Sequence, residues 1–531
     1  MTFRDKAGLA RQALLIGIAS PLLATTALAG SRANGIFETN VTNDRYISSG
    51  EPEIAVDPKN PRHLAIIEFA IGSKQAPGAD YNPQARNNPE LNVARSKYDG
   101  RIMLSTDRGE HWHQAGTPPA SDPNSRLHGG SDVMIAIGPD DTIYAADEAA
   151  PASVGRVAGG TPPTLQEYLS HFNFLIAAST DGGHKFSPAQ IVGTPVDRPW
   201  MTVDQSTGTV YTVSSGALDV KTGVHNVAGP NAPEDRWLVA WKPHLAGKSE
   251  PRRIGGPVFS GEIANTITAA NGVVAATFAL GGRVPGMGFT GAPPKPVPVP
   301  ASLRGLVPRR ITQCTMAEPC LFFETSSDEG RHWVRHFVDV PGGFDDWLVN
   351  VSADPSHPGR YAIAFLSSDR KAMKVIVTND AGAIWSGPVT IPNRVAADGA
   401  DFKQWMAYGP TGVLGAMWRK ERPDLPMSRT RSTTKSARRQ IPGQVLSPAY
   451  DIYTSISCDG GTKWYPAIRV DAKTSPAGMV SQDDESYIAL DAHYEHLVWG
   501  DRRTGIVQAF YGRVPFSIFT HGKRCGGSRS E

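Results

Sequence analysis

Apolar positions in this chain fall in short runs broken by turn formers, with almost no stripe at helical spacing. Runs of this kind, bounded by Gly, Pro, Asn or Asp, read as β-strands. They also come in pairs. Residues 53–58 lead through a turn to 63–67, 132–137 to 142–147, 200–205 to 209–213, and 263–267 to 273–278. Residues 347–351 lead to 361–365, 405–408 to 413–418, and 487–491 to 496–499. Seven such hairpins predict a chain built on one repeated unit. The 54 glycines and 43 prolines among 531 residues fit that picture, because an all-β chain of short strands needs many turns.

Five of the hairpins are followed by a second signature. It places Ser105, Asp107, Gly109 and Trp112 at fixed spacing, then Ser179, Asp181, Gly183 and Phe186, then Ser326, Asp328, Gly330 and Trp333. Thr378, Asp380, Gly382 and Trp385 repeat it, as do Ser457, Asp459, Gly461 and Trp464. The hydroxyl and carboxylate can bond turn backbone, the Gly supplies positive φ, and the aromatic packs under the turn. These segments are Asp-boxes, and the chain resembles the sialidase-like β-propeller superfamily, also described as BNR-repeat proteins. In that family the boxes join the two outer strands of a blade, on the side away from the site, and are structural.

The resemblance implies an all-β fold, a single β-propeller of four-stranded blades over residues 30–531. The boxes recur at about 70 residues per blade, so seven blades are expected, with six, as in true sialidases, the alternative. Two units lack a box: the third, with outer strands expected at 237–241 and 251–254, and the last. The last unit can take a strand from residues 35–42 to close the ring.

The N-terminus adds a compartment. Arg4, Lys6 and Arg11 precede an apolar run at 13–24, and Ala27, Leu28 and Ala29 form a small-x-small cleavage pattern. Residues 1–29 therefore read as a Sec signal peptide and the protein as exported, periplasmic or extracellular. Pro21 and the polar Thr25 distinguish the run from a membrane span, and no later segment suits one. Four cysteines fit an oxidising compartment and allow three pairings. Cys314 and Cys320 flank a short loop, and Cys458 in the last box can hold Cys525 in the tail, so those two pairs are expected. With 53 Lys+Arg against 51 Asp+Glu, the chain is no generally basic nucleic-acid binder. Its 40% hydrophobic content excludes disorder. No P-loop, HExxH, dinucleotide fingerprint or GxSxG occurs, and neither a cofactor nor a metal is expected. The expected state is a monomer.

In such a topology the first strand of each unit starts, and the second ends, on one face. Residues just before the former and just after the latter converge on one mouth. Long insertions at 70–98, 148–171, 215–234, 281–318 and 419–447 fall on that face. The candidate catalytic residues there are Asp132, Asp346, Asp484, Glu485 and Tyr487. Candidate substrate contacts are His128, Arg198, Trp200, Trp347, Arg370, Trp405, Arg419, Asp501 and Arg502. Paired acids can perform acid/base work on a glycosidic bond, and Arg forks bind carboxylates. Aromatic faces stack on sugar rings. The basic stretch 419–439 suits an acidic polysaccharide.

Sialidase resemblance further implies an arginine triad, a Tyr–Glu nucleophile pair and an Asp acid. The Phe/Tyr-Arg-Ile/Leu-Pro motif carrying the first arginine has no counterpart; Arg45 stands in Asp-Arg-Tyr-Ile. The expected function is an exported propeller that binds and cleaves glycans, as an exo-sialidase-like glycoside hydrolase or a lyase on acidic carbohydrate. The alternative is a non-catalytic propeller that binds a glycan or a protein.

Overall fold

The computed structural model describes residues 31–33, 35–43, 47–72, 100–116, 127–151, 173–193, 197–215, 217–218, 225–226, 236–241, 257–258, 266–281, 296–315, 317–393, 399–425, 446–479 and 485–525. The expected leader at 1–29, Asp484, and most of the long insertions lie outside them.

Among the described residues, besides three two-stranded ribbons, seven large antiparallel sheets build the body, six of four strands and one of five. Their first strands are Ile47–Val56, Leu127–Ile137, Asp197–Val203, Ile267–Ala270, Asp345–Ala353, Asp401–Tyr408 and Ser486–Leu490. These correspond to the seven hairpins read from the apolar runs. Neighbouring first strands pack together in chain order, and Ser486–Leu490 packs in turn on Ile47–Val56. The middle strands of several sheets are buried throughout. Tyr361–Leu366, Cys320–Ser326 and Tyr450–Ser457 are buried at every position, because each sheet lies between two others.

The seventh sheet closes as expected: Ile36–Asn40, from the start of the chain, pairs with Gln508–Pro515 near its end. Ser31–Ala33 adds a fifth strand. In the third sheet the outer strand expected at 251–254 lies outside the described residues, and Pro257–Val258 pairs with Arg236–Trp241. Part of the Pro-rich 281–318 insertion is ordered. Val299, Leu303 and Val307 pack against Phe278 and Phe322 in a small satellite core. Both cysteine pairs form the expected disulfides, Cys314–Cys320 beside that core and Cys458–Cys525 holding the C-terminal segment.

The five Asp-box turns share one bond pattern. Ser105 Oγ donates to Asp107 Oδ1 at 2.8 Å and accepts the Gly109 N–H at 2.8 Å. Asp107 Oδ1 also accepts the His111 N–H. In three boxes the indole adds a bond, Trp112, Trp385 and Trp464 donating Nε1 to the box glycine's carbonyl. The Gly N–H to hydroxyl bond recurs at Ser179, Ser326, Thr378 and Ser457. Each turn links the third strand of a sheet to the fourth. Gly109 has φ +83°, and a Cβ there would overlap the Tyr511 ring of the seventh sheet. Gly183 likewise abuts Leu104 of the first sheet, Gly382 abuts Phe323 and Gly461 abuts Val377. A box therefore packs its own sheet on the preceding one.

Among the described residues, first strands of neighbouring sheets do not pair backbone to backbone. Side chains bridge them instead, because a buried N–H needs an acceptor. The Val351 N–H reaches Thr266 Oγ1 at 2.9 Å, Met406 reaches Asn350 Oδ1 at 2.9 Å, and Tyr408 reaches Ser352 Oγ at 2.9 Å. Ile135 reaches Glu53 Oε2 at 2.7 Å.

Candidate functional site

The mouth ends of the first strands are irregular. Pairing to the second strand slips between Gly50 and Glu53, Gly129 and Val133, Asp197 and Trp200, Asp345 and Asn350, and Phe402 and Trp405. The fourth and seventh sheets stay in register there. Pro52 and Pro199 sit in two of the slipped stretches, where a missing N–H costs no ladder bond. Such bulges bend a strand and re-aim its side chains, and they are frequent beside active sites. Asp132, Arg198, Asp346 and Trp347 all lie within these stretches. Only the backbone of these four and of His128 is described.

Just beyond the bulges, three rings from different sheets meet. Trp405 lies 5.1 Å from Trp200 and 4.4 Å from Tyr487, and Trp200 lies 6.4 Å from Tyr487, centroid to centroid. Trp200 and Tyr487 are buried, while Trp405 is half-buried. The Tyr487 hydroxyl donates to Oε2 of Glu485, which immediately precedes the strand Ser486–Leu490.

Glu53 is the nearby acid that the sequence reading passed over. It was read only as the first residue of an apolar strand. Burial pushes its carboxyl well above the ordinary range; the Ile135 N–H opposes this, and the Glu485 charge adds to it. The available signal was a carboxylate inside the otherwise apolar run 53–56.

Arg419 is fully buried, unlike the solvated mouth arginine expected. Its Nε donates to Ser486 Oγ at 2.8 Å and its Nη2 to the Glu485 carbonyl at 2.7 Å. It lies over the Tyr450 ring at 4.5 Å, and the Tyr450 hydroxyl is bonded to the Gly500 carbonyl. Arg419 thus grips the segment that carries Glu485 and Tyr487. Asp401 pairs with buried Lys420 at 2.9 Å; burial nevertheless pushes its carboxyl up to about 6, against the lysine's pull.

Arg370 pairs with Asp345, and its carbonyl accepts the Asp401 N–H at 2.7 Å. Asp501 is buried rather than on the rim, paired with Arg503, which also reaches Glu38 at 2.7 Å. Arg502 is buried too, with its N–H on Ser475 Oγ. Arg419, Asp501 and Arg502 are therefore wall residues in this structure. Polar strand ends read as rim residues because sequence does not reveal which are covered by the next sheet. Among the described residues, no group of three or more His, Cys, Asp or Glu is placed to hold a metal ion, and no helix is long and apolar enough to cross a membrane.

The arrangement is an all-β body of packed four-stranded sheets with a carboxylate–phenol pair beside an aromatic cluster where the first strands converge. No protein-family model matches the chain, and no curated protein matches it. Among solved structures it is similar to a protein of unknown function from Dyadobacter fermentans, at 10% identity and TM-score 0.41, covering 90% of this chain and 97% of that one. It is similar to a Hadza microbial sialidase at 11% identity and TM-score 0.39, over 91% and 96% of the two chains. A GH93 α-L-arabinofuranosidase of Fusarium graminearum shares 10% identity, TM-score 0.39, over 93% and 99%.

Proposed function

We propose that the seven sheets are the blades of one β-propeller and that the protein is an exported glycoside hydrolase. Its substrate on this reading is an acidic glycan, taken at the mouth where the first strands begin. The observation that carries the reading is the Tyr487 hydroxyl bonded to Glu485 beside Trp200 and Trp405. A carboxylate bonded to a phenol is a base poised to activate a nucleophile, and tyrosine can form a covalent glycosyl intermediate. The phenolic oxygen attacks the anomeric carbon as its proton passes to Glu485, and the bond to the glycosidic oxygen breaks, that oxygen leaving with the bonding pair and a proton to become an alcohol. Water later attacks the same carbon, and the phenol recovers its proton. The half-buried Trp405 ring offers a flat apolar face to a sugar, and the buried Trp200 supports it from behind. Asp132, Arg198, Asp346 and Trp347, on the bulged stretches, join the proposal as mouth residues, and Asp484 precedes Glu485 directly.

The test is turnover of a glycan panel by the secreted protein, read by new reducing ends and by unsaturated uronate. New reducing ends without unsaturation are expected. Unsaturated products would replace the hydrolase with a lyase. Binding without turnover would replace it with a non-catalytic glycan-binding propeller, and neither binding nor turnover would overturn the reading.

A further inference from the structure

We propose that Glu53 is the proton donor of this site, a role that rests on the glycosidase reading above. The argument begins with the bridges between first strands. Between neighbouring first strands the same task, accepting an N–H from the next sheet, falls to Thr266, Thr268, Asn350 and Ser352, all neutral. The one other acid among these acceptors, Asp204, holds the Gly272 turn just beyond the strands with Oδ2 and spends Oδ1 on Ser206. Glu53 performs that task for Ile135 with Oε2 alone. A carboxyl is a costly choice for it, since burying an ionisable group is unfavourable when a hydroxyl or amide would serve. A second carboxyl oxygen remains beyond the bridge.

The position is also distinctive. Glu53 directly follows the bulge at the mouth end of the first strand, where Glu51 takes φ +48°. Its neighbour in charge is Glu485, the partner of Tyr487. Two carboxyls in one low-dielectric site do not both ionise readily, so a proton is retained between them. Glu485 accepts the phenol and is suited to the ionised role. Glu53, held by one N–H and otherwise buried, is suited to the protonated one.

In the reaction the Glu53 O–H proton moves to the glycosidic oxygen as the bond from that oxygen to the anomeric carbon breaks. The bonding pair stays with the oxygen, which departs as an alcohol. When water attacks the glycosyl–tyrosine, its oxygen bonds the anomeric carbon and one of its protons returns to the Glu53 carboxylate. The net change is glycoside plus water to sugar plus alcohol.

The Glu53→Gln variant separates these roles, because its amide oxygen still accepts the Ile135 N–H and its melting temperature at neutral pH should be no lower than wild type. Substrates with poor alcohol leaving groups should lose about 10²–10⁴-fold in turnover. Aryl glycosides with acidic phenol leaving groups, which need no proton, should retain most of their rate. An active wild type whose E53Q form is unimpaired, or equally impaired on both substrate types, overturns the assignment of Glu53 alone. A wild type that turns over nothing overturns the enzymatic reading instead. Difference infrared spectroscopy of wild type against E53Q at neutral pH gives a readout without substrate. A protonated-carboxyl band present only in wild type supports the assignment, and its absence overturns it whatever the activity. Should E53Q fail to fold, Glu53→Asp should show a smaller penalty that still grows as the leaving group becomes less acidic; a penalty independent of the leaving group overturns the assignment.

Discussion

The Asp-box turns and the opposite ends of the first strands use carboxylates in contrary ways. In the boxes each acid is satisfied locally and held ionised. The His332 N–H and ring and the Ser326 hydroxyl hold Asp328 well below the usual carboxylate range. The Thr378 hydroxyl and Ile384 N–H do the same for Asp380. At the mouth the acids are buried and pushed the other way, Glu53 strongly and Asp401 to about 6. Geometry differs in the same sense. The boxes repeat one bond pattern five times, while the mouth ends carry bulges of different lengths and sequences. Repetition with local satisfaction is what stability alone requires. Irregularity with buried acid is what chemistry tends to need, and it recurs at functional sites for that reason.

The largest effect that would break this contrast is on turnover. Tyr487→Phe keeps the ring against Trp405 and removes only the hydroxyl. It should lower turnover by about 10²–10⁴-fold while costing about 1 kcal/mol of stability. Glycosidase assays beside a denaturant titration would check both, and an unaffected rate would leave the mouth no more catalytic than the boxes.

The counterpart on the box side is Gly109→Ala. A methyl there meets the Tyr511 ring in a positive-φ residue, so a loss of about 2–4 kcal/mol in urea unfolding is expected. Activity per folded molecule should be retained. Loss of activity in a fully folded protein would put the boxes in the site.

Stability against pH sharpens the contrast with opposite slopes. The box acids have lowered values, so their contribution is present above the unfolded carboxylate pKa and is lost as pH falls through the folded one. Glu53 and Asp401 have raised values. Their contribution is full below the unfolded pKa and is lost as pH rises through the folded one, about 6 for Asp401. Asp328→Asn should therefore flatten the acid side of a melting-temperature profile, and Glu53→Gln the alkaline side. Interchanged effects would refute the assignment of the two environments.

The smallest effect belongs to Ile384, whose side chain is 73% exposed at a box tip. Only its backbone N–H serves the turn, bonding Asp380 Oδ1 at 2.9 Å. Ile384→Lys should change unfolding free energy by less than about 0.5 kcal/mol. A larger loss would mean that the tip is covered by something else.

By itself the sequence determined the repeated unit, the first-strand hairpins and the five boxes; it pointed to both disulfide pairs and to the return of residues 35–42, which the tertiary structure then selected. All of these rest on short-range signals: apolar runs of strand length, a hydroxyl and carboxylate two residues apart before a glycine, cysteines close in sequence or at a loose end. It also pointed to Glu485, Tyr487, Trp200 and Trp405, because aromatic and acidic residues stand out at strand starts. Which of those meet was decided only by the tertiary structure. Whether Arg419 or Asp501 faces solvent depends on the neighbouring sheet, and nothing within a few residues of either reports that. Glu53 makes the same point in reverse. In the chain it looks like the polar edge of an apolar strand. It becomes a buried carboxyl only when the second sheet brings the Ile135 N–H to it and the seventh brings Glu485, contacts that span 82 residues in one case and most of the chain in the other.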